Sequence, residues 1–69
     1  MERVRRRGVR ELERQLAGLL AMCAIPVVRC DLSRPSNIRW LRRNLTPQNC
    51  PPSLLGAVMR LLTEVGRGL

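Results

Sequence analysis

Apolar residues recur along most of this chain at the three-and-four spacing of an α-helix. In the first stretch, over 2–23, Val9, Leu12, Leu16, Leu19 and Cys23 step by 3-4-3-4, and Leu20 widens the stripe. Each helical residue turns by 100°, so these side chains share one face. A shorter pattern sets Ile38, Leu41 and Leu45 at i, i+3 and i+7 and predicts a helix over 35–45. Pro35 suits a first turn, where a missing N–H costs nothing, and Ser33 or Ser36 stands where a cap is needed. Thr46-Pro47 ends that helix, because the residue before a proline is pushed toward extended backbone. The third pattern, Leu54, Leu55, Val58, Leu61, Leu62 and Val65, predicts a helix over 52–65. Asn49 or Ser53 is its expected cap and Gly66, with Gly68 behind it, its expected stop.

The stretch 24–34 reads two ways. Ile25-Pro26-Val27-Val28 suits a short extended strand, or the opening of another helix with Pro26 in its first turn. No other segment alternates with period two, so a strand here needs a second copy or another protein to pair with. The expectation is one all-α domain of three helices, with a short extended segment at 25–28 as the single departure.

Charge changes the picture most. Thirteen basic residues face five acids, for a net +8, and every basic residue is arginine. The planar guanidinium fork matches phosphate and carboxylate, so the expected partners are nucleic acid or an acidic protein surface. A GC-rich coding sequence explains the missing lysine but not the excess of base over acid. The densest block is Arg3, Arg5, Arg6, Arg7, Arg10 and Arg14, the expected nucleic-acid-binding residues. Its cations oppose the dipole at a helix N-terminus and Gly8 weakens that end, so 1–8 is expected to be a frayed basic arm. No aromatic residue is interleaved with the block, which argues against stacking on single-stranded bases. The plainer account is a solvated tail of like charges.

A second constellation surrounds the only aromatic residue, Trp40. At helical pitch it falls about 160° from Ile38, on the side that holds Ser36, Arg39, Arg43 and Asn44, with Asn37 beside them. Trp and Arg together are the residue types enriched at binding hot spots, so Arg39, Trp40, Arg43 and Asn44 are the expected partner-binding residues. Against this, a short helix wedged between two others buries both sides, which makes Trp40 core.

Leu16, Ala17, Leu20, Ala21 and Val27 resemble the helix-turn-helix pattern of DNA-binding proteins. The resemblance implies a recognition helix after a turn near 21–23. Ala21 and Cys23 stand where that turn usually has Gly and Ser or Thr. Pro26 lies where the recognition helix should already run, and Arg29 is nearly the only side chain there able to read a base. An ordinary amphipathic helix end accounts for the same residues.

Other residue types narrow the chemistry. With no His, nucleophilic triads and imidazole ligands are excluded. Cys23, Cys30 and Cys50 are one thiol short of a four-cysteine zinc site and contain no C-x-x-C, so no metal or cofactor is expected. Glu11 and Glu13 do not face one another on a helix, and there is no glycine-rich phosphate loop, so an enzyme is not expected. The odd cysteine count fits reduced thiols and a cytoplasmic location. No apolar run approaches the ~20 residues of a membrane span, and the acids among 2–13 argue against a signal or transit peptide. The expected function is that of a small basic regulator associated with nucleic acid, of phage or transcriptional type, gripping phosphate through arginine clusters. The alternative is a small adaptor or inhibitor that docks on an acidic protein through the Trp40 face.

A chain of 69 residues buries only roughly 60% of its unfolded surface, so help from a partner is expected. Val9, Leu12, Leu16 and Leu19 are the expected dimer seam, with packing against the last helix of the same chain as the alternative. A dimer of this kind makes the unfolding midpoint rise with protein concentration. Thermal scans at several concentrations check this, and a concentration-independent midpoint with a monomer by light scattering rejects it.

Overall fold

A computed structural model describes residues 2–68, with side chains over 8–67. The described chain is all-helical and contains no strand. Helix α1 spans Glu2–Leu20, a 3-10 turn spans Val27–Cys30, α2 spans Pro35–Asn44 and α3 spans Pro52–Gly68. Both α1 and α2 pack against α3, and the 3-10 turn leans on α2. Among the described residues no helix is long and apolar enough to cross a membrane.

The core follows the apolar stripes. Leu16 and Leu20 of α1, Ile38 and Leu41 of α2, and Val58, Leu62 and Val65 of α3 are buried together. Leu32, Leu45 and Cys50 join them from the connections. Each of the buried Leu, Ile and Val side chains contributes about 1.5–3 kcal/mol by leaving water. Leu16 is fully buried in this core, so it is not free for the expected dimer seam. Val9, Leu12 and Leu19 are only partly buried. Leu12 and Leu19 line an open groove between α1 and α3, opposite Ala57 and Leu61.

Several local expectations change. Helix α1 stops at Leu20, short of Cys23. The N–H groups of Met22 and Cys23 tighten onto the carbonyls of Leu19 and Leu20, each at 3.0 Å, and the Ala24 N–H leaves to the Asn49 carbonyl at 2.8 Å. With Pro26 ahead, the α-helical ladder cannot resume at once. Residues 25–28 therefore form neither a strand nor an α-helix. Pro26 is extended, and Val27 opens the 3-10 turn, in which no residue is buried. The recognition helix implied by the helix-turn-helix resemblance is absent from its expected place, where only this four-residue turn stands.

The caps also differ. Arg34 holds the N-cap position of α2 without a side-chain bond, while Pro35 occupies the first turn as expected. Ser33 instead bonds Asp31 through both its N–H and its hydroxyl. Those two bonds, the hydroxyl first, hold the Asp31 carboxyl below its ordinary range. Asn49 does not cap α3 either. Its Nδ2 donates to the Asn44 carbonyl and its Oδ1 accepts the Thr46 N–H, both at 2.8 Å, and this closes the connection from α2 to α3. Helix α3 runs through Gly66 to Gly68, and among the described residues no glycine has a positive φ. Gly66 is therefore a helical residue, not a cap.

Asn37 departs furthest from expectation. The sequence sets it beside Trp40 on the polar side, yet it is 3% exposed. Its Nδ2 donates to the carbonyls of Val28 at 2.9 Å and Asp31 at 3.0 Å. Its Oδ1 accepts from Arg29 Nη1 at 3.4 Å. A polar side chain is stable in the interior only when its hydrogen bonds are met, and these are met by the 3-10 turn and the residue that follows it. Asn37→Ala leaves two carbonyls without their donors and is expected to cost about 1–3 kcal/mol. Leu41→Ala, which opens a void in the core, is expected to cost about 2–5 kcal/mol. Urea titration of each variant measures the loss, and wild-type stability in Asn37→Ala contradicts the clamp.

Candidate anion-binding face

Helix α2 carries Arg39, Arg42 and Arg43 and no acid. At i, i+3 and i+4 they share one face, and all three are exposed. Three other arginines have nearby carboxylates, Arg14 with Glu11 at 3.6 Å, Arg34 with Asp31 at 3.6 Å and Arg67 with Glu64 at 3.8 Å, whereas Arg10, Arg29 and Arg60 stand apart on other elements. Such exposed pairs add little stability, but they do neutralise charge. Among the described residues Arg39, Arg42 and Arg43 have no carboxylate partner. Two of them, Arg42 and Arg43, lie in the last turn of α2, where the helix dipole favours cations.

A cleft lies on each side of this ridge. One, of about 270 Å³, is lined by Arg29, Ser36, Arg39, Trp40, Arg43 and Asn44. The other, of about 420 Å³, runs between α2 and the end of α3 and includes Arg39, Arg42, Thr63 and Arg67. Arg39 borders both. A polyanion laid across α2 therefore meets guanidinium groups on the crest and on both flanks. Asn44 is exposed, and its Nδ2 is occupied by the Trp40 carbonyl at 2.8 Å.

Trp40 is half-buried against the core. The Arg29 guanidinium carbon stands 4.8 Å from the ring centroid, a cation–π contact. The indole face is thus already occupied and is poorly placed to stack on a base.

The structure brings the expected partner-binding residues Arg39, Trp40, Arg43 and Asn44 around one cleft. Of the expected nucleic-acid-binding block, only Arg10 and Arg14 have described side chains, and neither borders that cleft. Arg14 lies at the α1–α3 groove. Arg10 is exposed on α1, and the side chains of Arg3, Arg5, Arg6 and Arg7 lie outside the described residues. Sequence reading missed Arg42, although its spacing from Arg39 was visible. It also missed Arg29 as a neighbour of Trp40, which no periodicity reveals because the two lie on different elements. Among the described residues no three His, Cys, Asp or Glu side chains gather as a metal site would need.

Comparison with known proteins assigns nothing further: the chain matches no family model, no curated protein and no solved structure.

Because Trp40 is the only aromatic residue, its emission reports this cleft alone. Arg29→Ala uncovers the ring, so the emission is expected to move to longer wavelength, with a stability loss of about 0.5–1 kcal/mol. An unchanged spectrum means that Arg29 does not shield the indole in solution.

Proposed function

We propose that this chain is a small regulator that binds duplex nucleic acid by its phosphate backbone, with α2 as the main contact. The observation that carries this is the set of unpaired arginines Arg39, Arg42 and Arg43 on one exposed helical face, flanked by two arginine-lined clefts. Guanidinium groups bind phosphate oxygens through charge-assisted hydrogen bonds. The same face offers few groups for reading base edges, since Trp40 is covered and Asn44 is partly occupied. Binding that depends little on sequence follows from this. Arg3, Arg5, Arg6, Arg7 and Arg10 add charge from α1 as a second, electrostatic contribution.

In this reading the chain acts as a dimer. With Leu16 in the core, the pairing surface is the groove where Leu12 and Leu19 meet Leu61, rimmed by Arg60 and Glu64. The opposite signs on that rim suit a self-complementary contact. An acidic protein partner is the second reading. It draws on exposed apolar side chains next to Arg29, with Val27 at 87% and Val28 at 69% exposure, which a protein surface would cover and a phosphate backbone would not.

Fluorescence anisotropy with labelled duplexes of unrelated sequence tests the proposal. Binding is expected in the micromolar range or tighter at low salt, with log affinity falling linearly in log salt. The Arg39→Gln/Arg42→Gln/Arg43→Gln triple variant should weaken every duplex alike and flatten the slope by up to ~2.7, about 0.9 for each phosphate no longer neutralised. An Arg5→Ala/Arg6→Ala/Arg7→Ala variant should have the smaller effect. No binding at low ionic strength rejects the nucleic-acid reading and favours the acidic protein.

A further inference from the structure

The three cysteines play no part in the basic face, yet two of them meet. Cys23 follows α1 in the turn, and Cys50 precedes α3. Their sulfurs stand 3.1 Å apart, with the Cys23 thiol directed at Cys50. The backbones beside them are tied together, because the Ala24 N–H donates to the Asn49 carbonyl at 2.8 Å. That bond joins the residue after one cysteine to the residue before the other, so both segments are held in place. Closing the sulfurs to a bonded distance needs about 1 Å of movement. Cys50 is 1% exposed, Cys23 and Cys30 are partly exposed, and the Cys30 thiol donates instead to the Pro26 carbonyl at 3.9 Å.

We infer that Cys23 and Cys50 form a reversible intramolecular disulfide that staples the end of α1 to the start of α3. The oxidant is a low-molecular-weight disulfide such as oxidised glutathione. Cys23, the more accessible thiol, gives its proton to solvent and attacks one sulfur of that disulfide. The S–S bond breaks, and one glutathione leaves as thiolate and takes up a proton. Cys50 then loses its proton and attacks the Cys23 sulfur of the mixed disulfide, expelling the second glutathione. Two protein thiols are oxidised by two electrons, and one oxidised glutathione becomes two reduced ones.

The surroundings set the pace of this exchange. Burial first, then the shared proton with Cys50 and the charges of the neighbouring thiols, push the Cys23 thiol up to about 11. The reactive thiolate is therefore scarce at neutral pH, so the staple forms slowly and faster as pH rises. A thiol with a high pKa is also a poor leaving group, so the bond once made opens slowly. Closing the loop between positions 23 and 50 restricts the unfolded chain and favours folding by roughly a few hundredfold. For so small a core that is a large gain.

Peptide mapping of the full chain tests the inference. Trypsin cuts after arginine but spares Arg34, which precedes Pro35, so Cys23, Cys30 and Cys50 fall on peptides 15–29, 30–39 and 44–60. The chain is incubated with oxidised glutathione between pH 7 and 9.5, its remaining thiols are alkylated, and it is digested without reductant. The expected product links 15–29 to 44–60 within one chain and leaves Cys30 alkylated. Its rate should rise steadily across that pH range, and its thermal midpoint should exceed that of the reduced chain by about 10 °C or more. Cys30→Ser should give the same link, and Cys23→Ser should abolish it. A link from 15–29 to 30–39, a link between two chains, or alkylation of all three thiols overturns the inference.

Discussion

The Asn37 carboxamide is donor to two carbonyls, those of Val28 and Asp31, that belong to a segment too short to hold itself in place. A four-residue 3-10 turn has almost no ladder of its own, and its residues are not buried, so packing alone does not fix it. The amide does. It projects from the buried face of α2 next to Ile38 and Leu41 and fastens the turn against that helix. Its oxygen accepts from Arg29, which in turn lies over Trp40. The cleft beside α2 therefore inherits its shape from one interior hydrogen-bonding group. A leucine of similar size fills the same space but leaves both carbonyls without this donor.

The three helices divide the work unequally. Among the described residues, helices α1 and α3 supply five of the ten buried core residues, and α2 covers one side of α3 with Ile38 and Leu41 turned inward. A short helix with so narrow a buried stripe has most of its circumference left for charge. Arg39, Arg42 and Arg43 use that freedom, and their mutual repulsion is partly offset by the negative end of the helix dipole near Arg42 and Arg43. An anion that settles on this face relieves the rest.

What the sequence discloses depends on the range of the interaction. The starts of α2 and α3 at Pro35 and Pro52, and the buried residues Ile38, Leu41, Val58, Leu62 and Val65, follow from spacing and proline chemistry, both local properties. The exposed side of α2 is legible in the same way, since Arg39, Arg43 and Asn44 lie opposite the stripe. Asn37 is not, because its burial depends on carbonyls that a separate turn presents to it. The same holds for Arg29 over Trp40 and for the meeting of Cys23 with Cys50, each made between segments far apart along the chain. The ambiguity at 25–28 has a related cause: the stretch has weak preferences of its own and takes the conformation its anchors impose. The α1 seam was legible as a stripe, but periodicity does not say whether a stripe faces its own chain or another, and Leu16 faces its own.

The tight link between α2 and α3, closed by Asn49 onto Asn44 and Thr46, also bears on the order in which the molecule assembles. Contacts between neighbours along the chain form with little loss of chain entropy, whereas those between α1 and α3 must enclose everything in between. On that ground the α2–α3 hairpin is the expected nucleus, with α1 docking on it afterwards. Substitutions in that hairpin should then slow the approach to the native state, and those confined to α1 should chiefly hasten the departure from it.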